Sequence, residues 1–176
     1  MKELTVLNVA DQLKNHLEEL SASMLEWFPQ RKDWRYTGFE KAILEHGVFG
    51  KPKPRPRNVK RGLPKLCYYN CQQIVSYSTD FTYVEGYAVP QGFSFLTPIN
   101  HAWLIDKEGN AIDPTWESVG LCYLGIPLQT TWLKTVWEFR RQKDSDCDIT
   151  IFQGNYSDNF SIVKDGFPVG AIANIP

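Results

Sequence analysis

Apolar residues recur at three- and four-residue steps near the start of the chain: Leu13, Leu17, Leu20, Met24, Leu25 and Phe28. That period is the signature of an amphipathic helix, predicted over residues 9–28 and ended by Pro29. Thr37-Gly38-Phe39-Glu40 has the form of a capping box and opens a shorter helix that stops near Gly47 or Gly50. A third helix is predicted over about residues 66–78, behind Pro64, with Cys67, Cys71, Ile74 and Ser78 on one face. Beyond it the pattern turns strand-like in residues 81–89, in Phe93-Ser94-Phe95-Leu96, in residues 101–105 and in Ala111-Ile112-Asp113. Thr130 or Thr131 caps a fourth helix running to about Gln142, and short strands are expected around Ile149-Thr150-Ile151 and Ser161-Ile162-Val163. A helical first third followed by mostly adjacent strands predicts an α+β fold, with N-terminal helices packed on an antiparallel sheet.

The chain of 176 residues is 43% hydrophobic and 22% charged, enough for one domain with a substantial core and too apolar for wholesale disorder. A net charge of −1 gives no case for a general nucleic-acid binder. No apolar run approaches the length that spans a bilayer. Met1-Lys2-Glu3-Leu4-Thr5 lacks the apolar stretch of a secretory signal, so four free cysteines in a cytoplasmic, reducing compartment are expected.

The charge is nevertheless segregated. Residues 51–61, Lys-Pro-Lys-Pro-Arg-Pro-Arg-Asn-Val-Lys-Arg, carry six basic groups and no acid, and setting them aside takes the remainder from −1 to −7. The alternating prolines forbid helix and favour an extended polyproline-II path. The segment reads either as a stiff solvated connector between a helical part, residues 1–50, and the rest, or as an arm for an acidic partner or nucleic acid.

Of the three histidines, His16 falls in the first helix and His46 at a helix C-terminus, where both read as structural. His101 opens an apolar strand, and Asp113 follows twelve residues later across Asp106-Lys107-Glu108-Gly109-Asn110, a strong turn signal. A three-residue loop with Gly109 at positive φ turns the chain about Glu108 and makes His101 and Asp113 a diagonal pair on one sheet face; a turn about Lys107 makes them directly opposed. A carboxylate beside an imidazole is the orienting half of a nucleophile–base–orienter constellation. Cys67 lies in the first turn of its helix, where free backbone N–H groups favour a thiolate. Cys71 is a turn deeper and reads as a core residue, though it stands as the alternative nucleophile. Cys122 and Cys147 read as structural.

Cys67 at a helix start, Tyr83-Val84-Glu85-Gly86-Tyr87-Ala88, His101-Ala102-Trp103 and Asp113-Pro114-Thr115-Trp116 together resemble the transglutaminase-like branch of the papain-type cysteine enzymes. The resemblance covers about residues 60–120 and implies a catalytic core over residues 62–176, with Cys67 as nucleophile, His101 as general base and Asp113 as its orienter. One departure stands out: Lys65 occupies a position, two before the cysteine, where family members commonly have glycine. The implied chemistry is hydrolysis of an amide or ester, or acyl transfer, through a thioester on a protein, peptide or small amide substrate. The alternative is a non-catalytic binding protein of the same fold that uses the basic arm.

Four further residues are candidates for the surroundings of such a site. Glu85 either lines the cleft or stands behind it as a supporting carboxylate, and otherwise is an outward-facing strand charge. Trp103 and Trp116 either wall an acyl slot or pack the core. Asn70 or Gln72 is a candidate oxyanion donor beside the Cys67 backbone N–H. Cys67, Cys71 and His101 lack the paired spacing typical of a zinc site. No phosphate-cradling or dinucleotide fingerprint is present, so no cofactor is expected.

Overall fold

The computed structural model describes residues 6–92, 96–143 and 150–175. Helix α1 spans Val6–Trp27 and packs against α2, Phe39–His46, across a 3₁₀ turn that begins at Pro29. Strand β1 is Val48–Lys53, and α3, Cys67–Tyr77, follows the Pro-rich stretch. Strands β2 (Thr82–Val89), β3 (Ile99–Ile105), β4 (Asn110–Ile112) and β5 (Cys122–Leu128) complete the sheet. Helix α4, Thr130–Lys143, and the short α5, Ser161–Asp165, close the described chain.

The architecture is α+β, but the sheet is not a simple antiparallel layer. It closes into a small barrel in the order β1-β4-β3-β2-β5. Closure depends on β1, which runs parallel to β4 with Lys51 opposite Asn110 and antiparallel to β5 with Phe49 opposite Leu124. The basic segment is therefore no free connector. Its first three residues are extended as expected, yet they are ladder residues of the barrel, and Lys53 pairs with Asp106 at 3.1 Å. Pro52 is tolerated because β1 pairs with each neighbour over only three residues.

The two faces of each strand have different neighbours. Val84, Ala88, Trp103, Ile105, Ala111 and Tyr123 fill the barrel interior, while Tyr83, Tyr87, Leu104 and Leu124 pack outward into the helical core with Leu13, Leu17 and Ile43. The interior is narrow, and glycine makes room in it. A Cβ on Gly125 would meet the Trp103 ring at 2.5 Å, and one on Gly86, its cross-strand partner, would meet Leu124 O at 2.2 Å.

Three local expectations change. Gly38, not Thr37, is the N-cap of α2, so the capping box does not form; the Thr37 hydroxyl bonds the Ser21 backbone, and Glu40 is buried, accepting from Tyr87 Oη at 2.7 Å. Ser161-Ile162-Val163 is the start of α5 rather than a strand, with Ile162 and Val163 buried. Thr150 and Ile151 are not strand either, and β5 was not anticipated. Phe93-Ser94-Phe95, Cys147 and Ile149 lie outside the described residues.

Candidate active site

The β3–β4 hairpin positions the imidazole and the carboxylate. Leu104 faces Ile112 and Ile105 faces Ala111, and Asp106 N bonds Asn110 O at 3.1 Å, so the chain turns about Glu108 through a three-residue loop. Gly109 takes φ +80° in that loop. The Asp106 carboxylate caps the turn by accepting from the backbone N–H groups of Glu108 and Asn110. Of the two expected registers this is the one that makes His101 and Asp113 a diagonal pair, and His101 Nε2 lies 2.7 Å from Asp113 Oδ2.

Both side chains are buried, and Asp113 has no spare lone pairs to wander with. Its Oδ1 accepts from Thr115 N at 2.7 Å and Trp116 N at 3.0 Å, and its Oδ2 also accepts from Tyr123 Oη at 3.3 Å. Burial alone would raise the carboxyl, but the bonds from His101, Thr115 and Trp116 hold it below the ordinary aspartate value. Burial likewise pulls the His101 imidazole down. The hydrogen bonds to Asp113 and to Cys67 outweigh it and raise the ring to about 9, so it is cationic at neutral pH.

Cys67 is the first residue of α3, whose N-terminus has no side-chain cap. The first intrahelical bond there is Asn70 N to Leu66 O, at 2.9 Å. Earlier N–H groups of that turn, including that of Cys67, lack a carbonyl within the helix. The Cys67 thiol is close enough to the His101 ring to help raise it, and Asp113 takes Nε2, which leaves Nδ1 as the nitrogen free for the sulfur. Cys67, His101 and Asp113 thus come together in one line. Cys71 does not join it: it is fully buried, and burial followed by the negative charge of Asp113 pushes its thiol well above the ordinary cysteine value. Cys122 is also a buried free thiol, raised to about 11 by burial.

A cavity of about 780 Å³ opens on this line, with Cys67 and His101 in its lining. Trp116 forms one wall and stacks on the His101 ring, centroids 4.2 Å apart. Trp103 does not line it. It is fully buried inside the barrel and backs the imidazole at 6.5 Å, as core rather than wall.

Glu85 is also elsewhere. Cross-strand register pairs Glu85 with Ala102 and Gly86 with His101, so Glu85 points to the helical side of the sheet and His101 to the barrel side. It is buried, accepts from Tyr83 Oη at 2.5 Å and binds the backbone N–H groups of Ile151 and Phe152 at 2.8 and 3.1 Å. It is neither a cleft residue nor a solvent-facing charge.

Asn70 spends both amide hydrogens, on Leu63 O at 2.8 Å and Thr115 Oγ1 at 2.9 Å, and its oxygen accepts from Leu63 N. It is a structural tie, not an oxyanion donor. Gln72 is buried and directs its amide toward Tyr83 Oη at 3.5 Å, away from the cavity. The donor that remains from the expected pair is the Cys67 backbone N–H.

Two contributors were not anticipated. Tyr123 sits in the unrecognised β5 and donates to Asp113 while accepting from Gly120 N at 2.8 Å. Gln153, from the C-terminal part of the chain, lines the cavity, and no sequence signal marked it. The basic segment does reach the site through Arg61, its last residue, and the odd Lys65 lines the cavity as well. Among the described residues no group of three His, Cys, Asp or Glu side chains is arranged to hold a metal. No helix among the described residues is long and apolar enough to cross a membrane.

No family model, curated protein or solved structure matches this chain.

Proposed function

We propose that the chain is a small thiol enzyme with a transglutaminase-like core that cleaves or transfers an acyl group through a Cys67 thioester. The observation that carries this reading is the buried Cys67–His101–Asp113 line at the wall of an open cavity, with the sulfur at an uncapped helix N-terminus. The Cys67 thiolate attacks an amide or ester carbonyl, and the oxyanion that forms is met by the N–H groups of the first helical turn. The His101 imidazolium donates its Nδ1 proton to the departing amine or alcohol as the carbon–nitrogen or carbon–oxygen bond breaks. Neutral His101 then takes a proton from water or from an acceptor amine, which attacks the thioester and returns the thiolate. Asp113 stays ionised throughout and orients the ring.

A peptidyl acyloxymethyl ketone, which loses a carboxylate when a thiolate attacks it, tests the assignment. Labelling is expected on Cys67 alone and to vanish in Cys67→Ala. It should fall by about 100-fold or more in His101→Ala and persist in Cys71→Ala. Labelling that survives Cys67→Ala and is lost in Cys71→Ala overturns the nucleophile.

A further inference from the structure

Three charged side chains border the cavity besides His101: Arg61, Lys65 and Glu117. Arg61 and Glu117 are 3.8 Å apart and exposed at the rim, a pairing too long and too wet to neutralise the arginine. Lys65 is exposed and has no acidic neighbour among the described ion pairs. With the N-terminal end of the α3 dipole beside them, the two cations make the cavity mouth electropositive on the side of the sulfur.

The backbone that carries the two cations is fixed at several points. Gly62 N donates to Pro114 O at 2.7 Å, directly beyond Asp113, and a Cβ on Gly62 would strike the Asn70 side chain at 2.3 Å. Asn70 in turn grips Leu63 through both its backbone groups. Arg61 is thereby anchored next to the Asp113 strand end, and Lys65 two residues before the nucleophile.

Lys65 also carries a conformational cost. Its φ is +64°, one of only three non-glycine residues with positive φ among the described residues, and it fills the position where glycine would be unstrained. A strained lysine at the lip of a cavity signals a use for its side chain.

We infer that this site takes an anionic acyl donor, a peptide or amide with a carboxylate close to the scissile carbonyl, held by Lys65 and Arg61. The inference rests on the thiol-enzyme reading and names the substrate class for it. A carboxylate there meets two cations at the cavity mouth, so charge steers both encounter and register.

Two small alkylating agents separate the two ideas. Iodoacetate and iodoacetamide both place a CH₂ carbon on the Cys67 sulfur with loss of iodide, and they differ in that one carries a carboxylate. Rates at pH 7 are followed by mass mapping of the Cys67 peptide, and the iodoacetate-to-iodoacetamide ratio is compared with that of the urea-unfolded chain. Folded protein is expected to favour iodoacetate by roughly threefold to tenfold, an advantage that shrinks in high salt. Lys65→Gln and Arg61→Gln each lower the ratio, the double variant brings it toward that of the urea-unfolded chain, and Lys65→Arg preserves it. The iodoacetamide rate serves only to divide out any change in thiolate fraction that loss of a nearby cation brings, and an unchanged melting temperature shows that each variant is still folded. A ratio that does not respond to the double variant overturns the anionic substrate while leaving the thiol enzyme standing. Failure of both reagents to modify Cys67 ahead of the other cysteines overturns both.

Discussion

Lys65 shows how one residue can set stability against use. Its left-handed backbone costs about 1 kcal/mol relative to glycine, and the position makes no helical or strand hydrogen bond that glycine would weaken. Lys65→Gly is therefore expected to raise the melting temperature by a few degrees, since about 1 kcal/mol moves a domain of this size by roughly 2–4 °C, while lowering the iodoacetate preference at Cys67. A melting temperature that falls instead would mean that the lysine side chain stabilises the loop. His101 makes the complementary case, a residue whose charge is set by its neighbours. Its ring is held near 9 first against burial and then by Asp113 and Cys67, so the sign of its contribution follows directly. A raised imidazole stabilises the fold fully below its unfolded value near 6.5, and that contribution is lost as pH rises through about 9. NMR titration of the His101 Hε1 resonance should give a midpoint near 9, and Asp113→Asn should lower it by at least ~1 pH unit, because the carboxylate supplies both a hydrogen bond and a charge. An unshifted midpoint would remove Asp113 from the role of orienter.

Elements are joined by a second buried carboxylate. Glu85 on β2 binds the N–H groups of Ile151 and Phe152, while Arg140 on α4 binds the carbonyls of Thr150 and Ile151 and the Asp158 carboxylate. Strand and helix thus clamp the same backbone from both sides, immediately before Gln153 enters the cavity. Burial raises Glu85 to about 7 in spite of the bonds from Tyr83, Ile151 and Phe152 and the nearby Arg140 charge. A carboxyl raised from 4.5 gives its full contribution below about pH 4.5, and stability declines as pH rises through about 7, by about 3 kcal/mol in all. Glu85→Gln should lose about 1–2 kcal/mol in acid, where it accepts less well, and should lack this decline; urea midpoints from pH 4.5 to 7.5 measure the difference curve. Parallel curves for the two proteins would sink the assignment.

That clamp was not legible in the sequence, and the reason is physical. Alternation identifies Glu85 as facing one side of β2 but cannot say which side has water, and here neither does. The same blindness hid β5, whose residues are buried on both faces and so show no period, with Gly125 and Pro127 masking it further. Ile162 and Val163 read as strand because two β-branched residues outweighed a one-turn helix. Helices α1 to α4 were legible from one-sided burial, whereas the terminal signals of two of them were not: the Thr37 capping box does not form, and Thr130 and Thr131 lie inside α4 rather than capping it. The His101–Asp113 pairing was legible because the turn residues around Gly109 determine the register locally. What brought Gln153 and Tyr123 to the site was closure of the barrel and the return of the chain end, contacts between distant segments that no local pattern encodes.

At the scale of the whole molecule, charge and topology are entangled in residues 51–61. Lys51, Pro52 and Lys53 join β1 to β4 and close the barrel. Arg55 Nη1 ties back to Val59 O at 3.0 Å, and Val59 is buried in the helical core. Lys51, Arg57 and Lys60, by contrast, are exposed, and no hydrogen bond or ion pair of their side chains is among those described. The structural part of the basic segment is therefore separable from its exposed charges. Replacing those three by glutamine should leave stability unchanged within about 0.5 kcal/mol per site, whereas deleting residues 51–61 should abolish cooperative unfolding, because it severs the strand that closes the sheet. Loss of folding in the triple variant would show that its charges are structural. If the segment also recruits an acidic partner, binding of the folded protein to poly-glutamate should weaken with salt and disappear in the triple variant. The alkylation preference at Cys67, which depends on Arg61 and Lys65, should remain. Retained poly-glutamate binding in the triple variant would put the attraction at the cavity mouth instead, making entry to the site the only use of positive charge on this face.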